Sequence, residues 1–74
     1  MEKHDEELIS TLLDREPELR RYYEEHTELE RELGSLQSKM YLTPEQEVEK
    51  KRLQKLKLQG KDKIMEILAR HRPH

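Results

Sequence analysis

The chain has 74 residues, of which 31% are hydrophobic and 43% charged, with no Trp, Phe or Cys and a formal net charge of −2. That length allows one domain at most, and a compact globule of this size buries only about 60% of the surface its unfolded chain exposes. A large private core and a disulfide-stapled scaffold are both excluded, which leaves oligomerisation as the way to bury more apolar surface.

The absence of cysteine fits a reducing compartment. The opening "MEKHDEELIS" lacks the apolar run of a signal peptide, and no stretch approaches the ~20 apolar residues of a membrane-spanning helix. A soluble, cytoplasmic protein without membrane contact is expected. The small net charge hides an asymmetry. Residues 1–38 hold 12 acidic and 5 basic side chains, a net of −7, whereas residues 39–74 hold 5 acidic and 10 basic, a net of +5. Opposite signs on successive segments favour folding one against the other, or pairing them between chains; at ordinary salt this selects partners more than it adds stability.

In "DEELISTLLDRE", Leu8, Ile9, Leu12 and Leu13 recur at helical spacing. Asp5, Glu6 and Glu7 lie where they complement a helix dipole, so a short helix is expected over 5–14. Pro17 then interrupts. Inside a helix it removes an amide donor and clashes with the preceding turn, at about 3 kcal/mol, whereas in a first turn it costs little. A break at 14–17 is expected, with a kinked continuous helix as the alternative.

The second helix is expected over 17–39. Its seam is Leu19, Tyr22, His26, Leu29, Leu33, Leu36 and Met40, whose gaps alternate three and four in an unbroken coiled-coil register. "MYLTPEQE" follows. Thr43 is an N-cap residue, Pro44 suits the first helical position, and Gln46 stands where a capping-box partner belongs. Residues 40–43 are thus a short connection between antiparallel helices, with Tyr41 and Leu42 expected to close the end of the core. The third helix is expected over 44–70, with a stripe of Val48, Leu53, Leu56, Gly60, Ile64, Ile67, Leu68 and His71. Gly60 costs roughly 1 kcal/mol relative to Ala in a helix interior and reads either as a site of close helix approach or as a glycine that is simply tolerated. The final "HRPH" is expected to fray.

"EPELRRYYEEHTELERELGSL" followed by "KLKLQGKDKI" resembles the YdcH-like family of small, uncharacterised bacterial proteins, over roughly residues 5–70. The resemblance rests on Pro17, Glu24, Glu25, His26, Leu29 and Leu33, then on Lys57, Leu58, Lys61, Asp62 and Ile64. The chain departs from the family in carrying Gly60 where a large apolar residue is usual, and Leu19 where an aromatic is common. The resemblance implies a helical hairpin with a short N-terminal helix that associates through coiled-coil faces, and it implies no known activity.

Four constellations carry possible chemistry. His26, inside the apolar seam, reads either as a pH-sensitive element of an interface or, preferably, as a histidine bonded to a nearby Glu or Tyr that sets register as a seam Asn does. The four histidines match no structural zinc spacing, so no metal or other cofactor is expected, beyond adventitious chelation at His71 and His74. The basic run "KKRLQKLK" offers Lys50, Lys51, Arg52, Lys55 and Lys57 to a phosphate backbone; with no interleaved aromatics and an acidic neighbouring helix, a solvated or interhelical charge face is the stronger reading. Tyr22, Tyr23, Glu24 and Glu25 lack the dry pocket that acid–base catalysis needs, so no enzyme is expected.

The expectation is therefore an all-α fold: one antiparallel helical hairpin with a short N-terminal helix, coiled-coil-like, joined into a four-helix-type homodimer. Leu19, Tyr22, His26, Leu29, Leu33, Leu36, Met40, Leu53, Leu56, Ile64, Ile67 and Leu68 form its packing and oligomer surfaces, with the N-terminal helix contributing an edge to the dimer. The expected role is a protein–protein interaction module that binds itself and an unidentified protein; a nucleic-acid-associated protein is the alternative.

Overall fold

The computed structural model describes residues 2–72. The fold is all-α, with three helices: α1 (Lys3–Leu12), α2 (Pro17–Gln37) and α3 (Pro44–His71). α2 and α3 pack together as an antiparallel hairpin, and α1 folds back against α3. The molecule is elongated, 46 × 20 × 17 Å.

α1 lies two residues earlier than the 5–14 span expected from its apolar spacing. The amides of Arg15 and Glu16 both donate to the Leu12 carbonyl, at 2.9 Å each, and close the last turn there. Pro17 explains the stop. A residue before proline is pushed out of the helical region, and Glu16 has φ −124° and ψ 89°. The chain breaks rather than kinks, and Pro17 opens α2 at a position where its missing amide costs little.

α2 ends at Gln37, two residues short of the expected 39. The Ser38 amide donates to the Gly34 carbonyl at 3.0 Å, and the Ser38 hydroxyl donates to the Ser35 carbonyl at 2.9 Å. Met40 consequently lies outside the helix, and the four-residue step from Leu36 no longer carries it onto the seam. It is 87% exposed, which corrects its placement in the packed seam of this chain. Tyr41, at 84%, is likewise corrected: it does not close the core, while Leu42 is half-buried.

α3 starts where the capping signals placed it. The Gln46 amide donates to the Thr43 hydroxyl at 3.1 Å, and the Thr43 amide donates to the Gln46 side-chain oxygen at 2.9 Å. Thr43→Ala is expected to cost about 1 kcal/mol, readable as a lower thermal midpoint. Val48 does not belong to the core stripe and is 69% exposed. Its five-residue step to Leu53 turns it ~140° away at 3.6 residues per turn, and the half-buried Glu49 takes the inward position instead.

The main core is Ile9 and Leu12 of α1, Leu19 of α2, and Ile64, Ile67 and Leu68 of α3, each 5% exposed or less. Ile9 and Leu12 of α1 are therefore spent inside their own chain, while Leu8 and Leu13 are partly buried against the same cluster. Three long-range ties hold α1 and the break that follows it. The Tyr23 hydroxyl donates to Glu6 at 3.1 Å, the Arg72 guanidinium donates to the Asp5 carboxylate, and His71 Nε2 lies 3.1 Å from Glu16 Oε1. Leu33 and Leu53 are buried farther along, toward the turn.

Candidate protein-interaction site

The seam of α2 divides into two rows. Leu19, His26 and Leu33, seven apart, are all buried at 5% or less. Tyr22, Leu29 and Leu36, also seven apart, are only half-buried. In a heptad these rows are the two inward positions, and both are covered only when a helix has neighbours enough to cover them. The hairpin covers the first row and leaves the second at its edge. On α3, Leu53, Ile64, Ile67 and Leu68 are buried, whereas Leu56 stands at the same edge, 37% exposed.

Between Tyr22 and Leu29 of the half-buried row and Leu56 runs an open groove of about 870 Å³, with Leu36 beyond its lining. Tyr22, Leu29 and Leu56 supply its apolar walls, and Glu25, Glu28 and Lys63 stand among its charged residues. Gly60 also lines it. A Cβ built there meets nothing within 4 Å, so this glycine serves no close approach inside the hairpin and simply lowers the α3 wall. The Arg21 guanidinium lies 5.0 Å from the centroid of the Tyr22 ring, a cation–π distance.

His26 borders the groove. Its Nε2 lies 2.7 Å from Glu30 Oε1, one turn along the same helix. The carboxylate comes from its own helix and accepts from Nε2. Nδ1 is buried and has no hydrogen-bond partner among the described residues. The geometry suits a register-setting residue.

Tyr23 lies toward α1. Burial, the bond to Glu6 and the charges of Glu6 and Glu30 push its hydroxyl above the ordinary value, about 10. The neutral phenol is thus favoured in the folded state. Its contribution is fully present below pH ~10 and is lost as pH rises through the higher folded value. Tyr23→Phe is expected to cost about 0.5–1.5 kcal/mol at neutral pH. The gap between the two proteins should narrow in melts above pH 10.

The cations singled out in α3 divide by burial. Lys50 and Lys57 are half-buried along one flank, Lys51 and Lys55 point outward, and Arg52 lies on the other flank. Arg52 Nε donates to Glu49 at 3.0 Å, and this bond holds the Glu49 carboxyl below its usual range. Lys51, Arg52 and Lys55, all exposed, lie within ~100° of one another at 3.6 residues per turn. Phosphate recognition needs a clustered and open face of cations, and the Glu49 partner offsets one of these three.

Among the described residues, no group of three or more His, Cys, Asp or Glu is placed to hold a metal ion; His74 lies outside them. None of the helices is long and apolar enough to cross a membrane. No protein-family profile, curated protein or solved structure matches the chain.

The ties of α1 escaped the sequence reading. Asp5 and Arg72 are 67 residues apart, and nothing in either neighbourhood marks them as partners. The split of the seam into two rows was open to a heptad count, but which row would be covered was not.

Proposed function

We propose that the chain is a non-enzymatic protein–protein interaction module that self-associates through apolar helix seams into a four-helix-type dimer. The observation that carries this is the half-exposed row Tyr22, Leu29 and Leu36 beside Leu56. Surface leucines are ordinary when scattered, but a heptad-spaced apolar row along a groove is the pattern by which helices recognise helices. The resemblance to YdcH-like proteins supports the same reading, which includes a cytoplasmic setting and a further, unidentified protein partner.

Sedimentation equilibrium over a concentration series tests it. A species of twice the 9.1 kDa chain mass, dissociating on dilution, is expected. A monodisperse monomer at micromolar concentration, fully helical and melting cooperatively, would overturn the proposal.

A further inference from the structure

We propose that the α2/α3 groove seats a second copy of the chain, with the two-fold axis running along the groove, so that α2 of each protomer lies over α3 of the other. This rests on the self-association reading and specifies its geometry. α1 occupies one side of the hairpin, where Glu6 meets Tyr23 and Asp5 meets Arg72. No α1 residue lines the groove, so the apolar edge of Tyr22, Leu29 and Leu56 is the side left to cover.

Size sets the extent of the contact. A molecule 46 Å long and 17–20 Å across reaches the ~800 Å² that each partner of a stable dimer buries only when the contact runs the length of one side. A two-fold contact is self-complementary, so one surface must serve both partners.

Charge chooses the axis. α2 carries six acidic and three basic residues, a net of −3, and α3 five acidic and eight basic, a net of +3. A two-fold across the helices stacks α2 on α2 and α3 on α3, like on like. A two-fold along the groove places each acidic helix between two basic ones, its own α3 and the partner's. It also keeps the facing helices antiparallel, as in the hairpin. The rim residues fit. Glu28 is engaged by Arg31 of its own helix, whereas Glu25 has no ion pair among the described residues. Lys63, on the opposite wall, lies a loose 3.6 Å from Glu66. In this arrangement Glu25 faces Lys63 of the partner subunit, and the contact occurs twice per dimer.

Sedimentation of Glu25→Lys, Lys63→Glu and their equimolar mixture, at low ionic strength, tests the arrangement. Both positions are exposed, so each variant should keep wild-type helicity by circular dichroism. Each alone sets like charges together twice and is expected to dimerise on the order of tenfold more weakly. The mixture forms a heterodimer with both contacts of opposite sign, and should regain wild-type affinity. A mixture no tighter than its components overturns the arrangement. So does Glu25→Lys dimerising more tightly than wild type, which is what α2 over α2 predicts. A wild-type protein that stays monomeric overturns self-association itself, whereas a wild-type dimer without rescue overturns only the axis.

Discussion

Leu19→Ala is expected to lower stability by about 2–5 kcal/mol, the range for a large-to-small change that leaves a cavity. Leu19 is fully buried, in the cluster that joins all three helices. Removing its side chain opens the junction of Ile9 and Leu12 with Ile64, Ile67 and Leu68, and leaves α1 held chiefly by its polar ties at Glu6 and Asp5. A domain of this size has on the order of 4–11 kcal/mol in total, so the substitution removes a large share. At ~4–8 °C per kcal/mol, the midpoint should fall by roughly 10 °C or more. Leu58→Ala is the control. It is the same chemical change on α3, but Leu58 is 60% exposed, and the effect should stay within about 0.5 kcal/mol. Equal shifts in the two variants would mean that the described core is not the one that holds the fold.

The second large effect has the opposite sign. His26→Leu is expected to stabilise the fold by about 1–2 kcal/mol. His26 is 5% exposed, and its Nδ1 has no partner among the described residues. A buried unsatisfied polar atom costs about 1–3 kcal/mol. Leucine removes that cost and adds apolar contact to the row of Leu19 and Leu33. The loss is the bond to Glu30, whose side chain is 51% exposed; half-exposed pairs of this kind contribute a few tenths to about 1 kcal/mol. The balance favours leucine in stability and histidine in specificity, because a polar residue in a seam fixes register and partner number. Chemical denaturation should therefore show a higher midpoint for the variant, with a broader distribution of oligomers. A lower midpoint would show that the histidine contributes more than its geometry accounts for.

Local signals were legible in the sequence, and long-range ones were not. The Thr43–Pro44–Gln46 signal located the start of α3, because a capping box is complete within four residues. Pro17 located the break, because proline acts on its immediate neighbours. The end of α2 was misjudged. The seam spacing continues through Met40, but spacing describes a helix only while one exists, and the turn bonds at Ser38 end it first. Val48 failed for a related reason: a five-residue step was accepted into a stripe that 3.6 residues per turn does not allow.

On α2, heptad counting picked out Leu19, His26 and Leu33, which are buried, and Tyr22, Leu29 and Leu36, which are half-buried, but passed over Tyr23, which packs against the core. It did not separate the buried row from the edge row, because that depends on where α3 and α1 sit. The same packing explains the basic run. It divides into the half-buried Lys50 and Lys57 and the exposed set of Lys51, Arg52 and Lys55, of which Arg52 is paired with Glu49.

The central claim is that the row Tyr22, Leu29 and Leu36, with Leu56, is covered by another protomer. Isotope-filtered NMR on an equimolar mixture of labelled and unlabelled protein tests it most directly, since only contacts between different chains survive the filter. Intermolecular signals from the Leu29 and Leu56 methyls are predicted, with none from Leu19 or Leu68, which lie inside the chain's own core. A dimer whose intermolecular signals arise instead from Met40, Tyr41 and Val48 at the exposed tip, with Leu29 and Leu56 silent, would contradict the account.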